Sequence, residues 1–446
     1  MDQATVFVVG AGPAGLFAAR KIANAGHRVV IFNRDIKPGG LAEYGIYPQK
    51  FHMKGGLRKQ FAKILAMPNV DYFGNVRVRS DERLTIEDLK KWQPTAIVFA
   101  VGAQGNKKLG MPGEDSKGVY SAKDFVYNYN LLPPFTSQDF SVGRRIAIIG
   151  MGNVMVDIAR WLMIDQPGDK PEEVVVIARR GPFEVKFDSK EFDYVEPFLD
   201  RKLFQQELDR VAEACKAVGQ DVSQVPETTF PWLKSQPETT PDSKLTFRFL
   251  SSPVAIEPGA DGRIAHLRIR ENILALDGES TRPKATDKET LLEVDTLIFA
   301  IGDLADPSLG LPYSKNSYVT NDDAADPDRA AYEVFNPETG KVMDGVFVVG
   351  WARKASEGLV GKARFDAERG IEHVLKYVEK AEEKPSNPTE GILRDLRAKG
   401  LEPVTKDDVS RLIQVEAQQA ESLGLQEFKF STNEEMMRAI EAKVAR

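Results

Sequence analysis

The stretch Thr5-Val6-Phe7-Val8-Val9-Gly10-Ala11-Gly12-Pro13-Ala14-Gly15 decides the fold. Its first five residues predict a buried strand, and the G-x-G-x-x-G spacing that follows opens a helical pattern. In such a turn Gly10 permits the tight bend, Gly12 lets backbone N–H groups approach a pyrophosphate, and Gly15 allows the helix to pack on the strand. A second strand predicted at 28–33 completes a βαβ unit. We therefore predict a dinucleotide site at this turn, with the phosphates at the helix N-terminus.

The predicted second strand ends in Asn33, where this kind of unit usually has an acidic residue that holds a ribose hydroxyl. An asparagine side chain can still form a hydrogen bond with ribose, although it carries no charge. We therefore keep Asn33 as a candidate ribose contact.

A second glycine turn, Gly150-Met151-Gly152-Asn153-Val154, follows the apolar run at 145–149. The next predicted strand, at 173–178, ends in Arg179 and Arg180 rather than in a carboxylate. A carboxylate would repel a ribose 2′-phosphate, whereas guanidinium groups form charge-assisted hydrogen bonds with it. This turn therefore favours NADP over NAD as its ligand. The alternative interpretation is that the two arginines are an ordinary exposed basic pair at the end of a strand.

The composition restricts the chemistry. The chain has 446 residues, of which 42% are hydrophobic and 28% charged, and its net charge of −6 gives no support for a polyanion partner. Its one cysteine, Cys215, excludes an internal disulfide and a cysteine-ligated metal, and the four histidines show no metal-ligand spacing. Redox chemistry would therefore need a bound organic cofactor. Two dinucleotide sites imply a resident flavin and a diffusing nicotinamide.

We expect an α/β fold of two Rossmann-like dinucleotide-binding domains, the second inserted in the first. The predicted boundaries are 1–104 and 306–382 for the FAD-binding domain, 105–305 for the NADPH-binding domain and 383–446 for a mostly helical extension. We expect residues 219–244 to form a surface excursion and the extension to wrap the periphery. No basic leader or long apolar run is evident, so we expect a cytoplasmic protein.

Five further stretches are spread over much of the chain: Phe73-Gly74-Asn75-Val76-Arg77-Val78, Gly150 to Asp157, Arg179-Arg180-Gly181-Pro182, Phe247 to Pro253 and Gly350-Trp351. Together they resemble the adrenodoxin reductase family of ferredoxin–NADP reductases, and the resemblance runs over nearly the whole chain. It implies FAD and NADPH as cofactors, and a ferredoxin or similar acidic iron–sulfur protein as the electron acceptor.

Residue by residue, the resemblance implies two sets of cofactor contacts. For FAD they are Gly10, Gly12, Pro13, Ala14, Gly15, Asn33, Leu41, Val76, Trp351, Gly358, Leu359 and Val360. For NADPH they are Gly150, Met151, Gly152, Asn153, Val154, Arg179, Arg180 and Glu191. Gly358 lies where the nicotinamide should meet the flavin.

The chain also departs from the family pattern. A family histidine becomes Lys50, so that a histidine–aspartate contact would become one between Lys50 and Asp157, and Glu357 precedes Gly358 where threonine is more usual. We take Lys50, Asp157 and Gly358 as candidate catalytic residues. A positive rim for the acceptor is predicted from basic residues on both domains: Lys50, Lys54, Arg58, Lys59, Lys186 and Lys190.

Two other functions remain open at this point. The stretch from Pro38 to Ile46 is also similar to the small subunit of glutamate synthase, so the chain could be an electron-entry subunit of a larger oxidoreductase. It could instead be a non-catalytic, nucleotide-binding assembly subunit, in which case NADPH would not bleach the flavin.

Overall fold

The structure is a computed structural model that describes residues 3–235, 241–278, 280–323, 325–354, 360–381 and 389–442. It divides into two compact units, and the first is built from three separate parts of the chain. Unit 1 comprises Met1–Asn106, Tyr127–Gln138 and Gly302–Arg446. Unit 2 comprises Lys107–Val126 and Asp139–Ile301.

The described residues form eighteen strands and fourteen α-helices. The strands are β1 (Thr5–Val9), β2 (Arg28–Phe32), β3 (Val70–Phe73), β4 (Ala96–Phe99), β5 (Gly105–Asn106), β6 (Val119–Ser121), β7 (Arg145–Ile149), β8 (Glu173–Ile177), β9 (Lys244–Arg248), β10 (Ser251–Pro258), β11 (Ile264–Asp277), β12 (Ser280–Glu293), β13 (Thr296–Phe299), β14 (Asp303–Leu304), β15 (Tyr313–Ser314), β16 (Ser317–Tyr318), β17 (Glu333–Asn336) and β18 (Lys341–Val348). The helices are α1 (Pro13–Asn24), α2 (Leu41–Tyr44), α3 (Phe51–Leu65), α4 (Ile86–Lys91), α5 (Ala122–Tyr129), α6 (Asn153–Arg160), α7 (Ser189–Phe192), α8 (Arg201–Lys216), α9 (Val225–Thr228), α10 (Pro327–Ala330), α11 (Val360–Val378), α12 (Thr389–Ala398), α13 (Lys406–Ser422) and α14 (Asn433–Glu441).

Unit 1 is organised around a six-stranded sheet in the order β17-β18-β4-β1-β2-β3, parallel except for the pair of β17 with β18. Side chains alternate between its two faces. Val6 and Val8 of β1 belong to one apolar cluster, together with α1 and α11, whereas Phe7 and Val9 belong to a second cluster that contains Trp92. Both faces are therefore covered, as the continuous apolar strands predict.

Unit 2 contains a five-stranded parallel sheet in the order β6-β13-β7-β8-β9 and a three-stranded antiparallel sheet in the order β10-β11-β12. The α/β architecture with parallel-sheet dinucleotide-binding domains is confirmed. Strands β4, β13 and β18 are followed within three residues by Gly102, Gly302 and Gly350.

Two expectations about the packing hold only in part. In the stretch 219–244, Phe230 is fully buried and packs against Phe204 and Phe247 with ring centroids 4.6 and 5.4 Å apart. The C-terminal extension is also part of the core, because α12 contributes Ile392 to one face of the unit 1 sheet and α13 contributes Leu412 to the other. Both stretches are mostly polar in sequence, but each contains single apolar residues that are fully buried.

Candidate functional site

The first glycine turn joins β1 to α1 in unit 1. Gly10 has φ +102°, and a Cβ atom there would lie 2.6 Å from the carbonyl oxygen of Ala100. A Cβ atom on Gly15 would lie 1.9 Å from the carbonyl oxygen of Gly10, whereas the space beside Gly12 is open. Gly12 is the N-cap of α1 and no side chain caps the helix, so its first N–H groups are available to an anion.

An open cleft of about 1090 Å³, including its mouth, lies over this turn within unit 1. Most of the predicted FAD contacts line it: Gly10, Gly12, Pro13, Ala14, Asn33, Leu41, Val76 and Trp351. Gly15 lies behind the turn. The Nε1 atom of Trp351 is buried without an acceptor among the described residues, which fits a bound cofactor that supplies one. The cleft therefore has the shape and polar groups that a dinucleotide requires.

Asn33 has a structural role in addition to lining the cleft. Its Oδ1 accepts a hydrogen bond from the N–H of Ala11 at 2.9 Å, and its Nδ2 donates to the carbonyl oxygens of Asp35 and Lys37 at 2.8 and 3.2 Å. The side chain thus fastens residues 35–37 to the glycine turn. Its contact with a ribose stays a prediction, because the amide donors are already bound to the protein.

Three arginines that sequence reasoning missed line the same cleft, namely Arg34, Arg77 and Arg79. Arg34 forms an ion pair with Asp35 at 2.8 Å. Burial, followed by the charges of Arg79 and Arg34, lowers the pKa of Arg77. Arg77 and Arg79 pair with Glu82 and Asp81, so the three guanidinium groups line the cleft as paired groups and not as an excess of positive charge. The alternation in Arg77-Val78-Arg79 directly after β3 was the available signal.

The turn that carries Trp351 is held by α11. The N–H of Gly350 donates to Oδ2 of Asp366 at 2.7 Å, and Arg353 forms an ion pair with the same carboxylate. Gly358 and Leu359 lie outside the described residues. Val360 begins α11, and its side chain is likewise outside them.

Unit 2 repeats the glycine turn between β7 and α6. Gly150 has φ +114°, and a Cβ atom there would lie 2.3 Å from the carbonyl oxygen of Ala300. Gly152 is the N-cap of α6 and has open space beside it. The carbonyl oxygen of Met151 accepts a hydrogen bond from the backbone N–H of Lys186, and Oδ1 of Asn153 accepts one from the backbone N–H of Asp188. Val154 is exposed. The turn is thus braced by the segment after β8.

Arg179 and Arg180 follow β8 with their backbones fixed. Asn272 Nδ2 donates a hydrogen bond to the carbonyl oxygen of Arg179, and the N–H of Leu250 donates one to the carbonyl oxygen of Arg180. Within the described part of the chain neither guanidinium has an acidic partner, and Nε of Arg180 is buried without an acceptor. Both are therefore suited to an anionic ligand, which agrees with a ribose 2′-phosphate.

The remaining candidates lie on different elements. Lys50 is the N-cap of α3 in unit 1, whereas Asp157 lies on α6 and Glu191 on α7 in unit 2. A contact between Lys50 and Asp157, and a contact of Glu191 with NADPH, stay predictions.

The predicted positive rim is wrong at Lys54. This side chain is 1% exposed, and its ammonium lies 2.6 Å from Oε2 of Glu427. Arg58 donates to both carboxylate oxygens of Glu43 at 2.6 Å and also pairs with Glu427. The two residues belong to a group that we call the buried charge cluster, formed by Lys37, Glu43, Lys54, Arg58, Glu416, Glu427 and Lys429. Lys59, Lys186 and Lys190 are exposed.

Each unit thus presents its own glycine turn at the end of a parallel strand, which defines an α/β protein with two dinucleotide-binding domains. Residues 4–204 match the model of the pyridine nucleotide-disulphide oxidoreductase family. The chain is homologous to adrenodoxin reductase and to the NADPH-ferredoxin reductase FprA. Because it has one cysteine, it has no internal redox disulphide.

The similarity extends over most of the chain. NADPH:adrenodoxin oxidoreductase of Salvelinus fontinalis is 28% identical over 477 residues, covering 98% of this chain and 91% of that protein. FprA of Mycobacterium tuberculosis is 28% identical over 410 residues, covering 85% of each. The solved structure of Mycobacterium tuberculosis FprA in complex with NADPH has a TM-score of 0.82 at 26% identity, covering 99% of this chain and 100% of that one.

None of the helices in the described part of the chain combines the length and apolar character needed to cross a bilayer.

Proposed function

We propose that the protein is an FAD-dependent oxidoreductase that takes hydride from NADPH and passes single electrons to a ferredoxin-type iron–sulfur protein. The observation that carries this proposal is the pair of separate glycine turns. Among the described residues, only the strand that follows the second turn ends beside two arginines without acidic partners. The relatives named above are NADPH-dependent reductases of adrenodoxin and ferredoxin.

We assign FAD to the cleft of unit 1. Gly12 and the free N–H groups of α1 would bind its pyrophosphate. The Trp351 turn, fixed by Asp366, would support the ring system. When bound, FAD accepts hydride and releases electrons one at a time. The protein's own contribution is to bind and orient the cofactors rather than to supply a nucleophile.

We assign NADPH to unit 2. Gly150 to Val154 would hold its pyrophosphate and the two arginines its 2′-phosphate. The sequence-based boundaries, with FAD at 1–104 and 306–382 and NADPH at 105–305, remain part of this proposal, as do the roles of Lys50, Asp157, Gly358 and Glu191. We also propose a cytoplasmic location, which cell fractionation would test.

The first test is anaerobic mixing of the purified protein with NADPH or NADH while flavin absorbance is followed, with ferredoxin added afterwards. We expect rapid bleaching by NADPH and reoxidation by ferredoxin. If NADPH bleaches the flavin and ferredoxin does not restore it, the acceptor is wrong and an electron-entry subunit becomes the better description. If NADPH does not bleach the flavin, a non-catalytic assembly subunit becomes the better description.

The second test removes the arginines. Because charge-assisted hydrogen bonds contribute about 1.5–3 kcal/mol each, the loss of both arginines in Arg179→Ala with Arg180→Ala should raise KM for NADPH by at least about 100-fold. KM for NADH should change little, since NADH lacks the 2′-phosphate. Arg282→Ala, at an exposed position on β12, serves as the control. Equal losses with both coenzymes would rule out the 2′-phosphate role.

A further inference from the structure

The stretch 247–253 contains none of the assigned cofactor contacts, yet it lies against the arginine pair, as we call Arg179 and Arg180. The N–H of Ser251 donates a hydrogen bond to the carbonyl oxygen of Ala178 at 2.9 Å. Ala178 is the residue between β8 and the arginine pair. The backbone that carries the two guanidinium groups is therefore fixed by a segment that is remote in sequence.

The turn within this stretch has a backbone conformation that needs support. Leu250 has φ +46°, in the left-handed region that a bulky side chain rarely adopts, and its N–H donates to the carbonyl oxygen of Arg180 at 3.1 Å. Helix α8 supplies the support at the preceding residue. Oε1 of the buried Glu207 accepts a hydrogen bond from the N–H of Phe249 at 2.6 Å, and Arg210 donates to the carbonyl oxygen of Phe249 at 2.6 Å. A strained turn that is held in this way indicates a functional requirement for its shape.

Asn272 of β11 joins this turn to the arginine pair. It is buried, and its Nδ2 donates to the carbonyl oxygen of Arg179 at 3.1 Å and to Oγ of Ser252 at 2.9 Å. Its backbone N–H donates to the carbonyl oxygen of Leu250 at 2.7 Å. Both hydrogens of the side-chain amide are thus bonded within the protein, so any effect of Asn272 on a ligand is indirect.

We propose that Asn272 is a positioning residue that sets the preference for a coenzyme with a 2′-phosphate. The inference rests on the proposed role of the arginine pair in binding that phosphate. Guanidinium groups distinguish a phosphate from a hydroxyl only when their donors point at it, because hydrogen bonds weaken steeply with poor geometry. In the part of the chain that the structure describes, neither guanidinium has an acidic partner to orient it. The backbone that Asn272 fixes is therefore what aims the arginine pair.

The test is calorimetric titration of the flavin-loaded protein with adenosine 2′,5′-bisphosphate, which carries the 2′-phosphate without a nicotinamide. We expect Asn272→Ala to weaken binding about twofold to tenfold, the effect of one net hydrogen bond. Because the readout is heat of binding, the result does not depend on whether NADPH reduces the flavin.

Ser243→Ala is the matched control. Ser243 is also buried, and its Oγ donates to the carbonyl oxygen of Pro171 at 2.6 Å, at the opposite end of β8 from the arginine pair. This variant should leave binding of the bisphosphate unchanged. Equal affinities of the Asn272→Ala and Ser243→Ala variants would overturn the proposal. If Asn272→Ala does not fold, Ser252→Ala replaces it, because it frees the Asn272 amide at one of its two contacts. It should weaken binding about twofold, and unchanged binding would equally overturn the proposal.

Arg179→Ala separates a failure of this inference from a failure of the proposed function. If Arg179→Ala binds the bisphosphate as tightly as the unmodified protein does, the 2′-phosphate role itself is wrong. If Arg179→Ala weakens binding but Asn272→Ala does not, only the positioning role fails. When the two changes are combined, Asn272→Ala should cause a smaller further loss than it does alone, because the guanidinium that it aims is gone. An undiminished loss would mean that Asn272 supports the fold in general.

Discussion

At the scale of single residues, the two glycine turns were predictable because their requirement is local. Gly10 and Gly150 each adopt a positive φ and lie against a carbonyl of a neighbouring strand, so the spacing in the sequence directly encodes the geometry. Asn33 was harder to interpret. Its position predicted a ribose contact, but its hydrogen bonds to Ala11, Asp35 and Lys37 depend on a loop conformation that the sequence does not reveal.

Asn33 gives the residue-scale prediction. Asn33→Asp restores an acid near the usual ribose position, but it replaces the amide donor with an oxygen that faces the carbonyls of Asp35 and Lys37. We expect a loss of about 1–3 kcal/mol in the free energy of unfolding and faster release of FAD. Thermal unfolding and flavin fluorescence measure the two effects. Tighter FAD binding by the aspartate variant would show that the position serves the ribose instead.

At the scale of elements, α3 and the segment before α14 are joined by ion pairs between residues more than 350 positions apart, such as Lys54 with Glu427. No sequence pattern predicts such a partner. The predicted exposure of Lys54 was therefore wrong, although the strands and glycine turns around it were found. The burial of Phe230 and of α12 was missed for the same reason, because a hydrophobic side chain does not identify the surface that will cover it.

The pairing of α3 with the tail predicts an asymmetry. Among the described residues Lys54 has one carboxylate partner, whereas Glu427 contacts Lys54, Arg58 and Lys429. Glu427→Gln leaves the buried ammonium of Lys54 without a counter-charge and should cost about 3–5 kcal/mol of stability. Lys54→Met removes the cation while Glu427 keeps two partners, and it should cost distinctly less.

Urea unfolding of both variants and of the double variant tests this asymmetry. The double variant should be more stable than Glu427→Gln alone, because it contains no unpaired ammonium at position 54. Similar losses for the two single variants would mean that Lys54 is solvated in solution.

At the scale of the whole molecule, each unit has its own sheet and hydrophobic core. A ligand that binds only one folded unit stabilises that unit by mass action. In calorimetry, removal of FAD should lower the unfolding temperature of one transition, and addition of NADP should raise that of the other. The variant with both Arg179→Ala and Arg180→Ala should lose the second effect and keep the first. A single transition that responds equally to both ligands would contradict the assignment of one cofactor to each unit.

The three-part construction of unit 1 has a consequence for synthesis on the ribosome. The nascent chain makes β1 to β4 first, and β18, which pairs with β4, emerges only after residues 107–301 have been translated. The five-stranded sheet of unit 2 has all its strands once residue 299 is available. The cleft over the first glycine turn still lacks Trp351 and Ala363 at that stage. Unit 2 can therefore fold first, and the cleft that we assign to FAD is complete only after all of unit 2 has been translated.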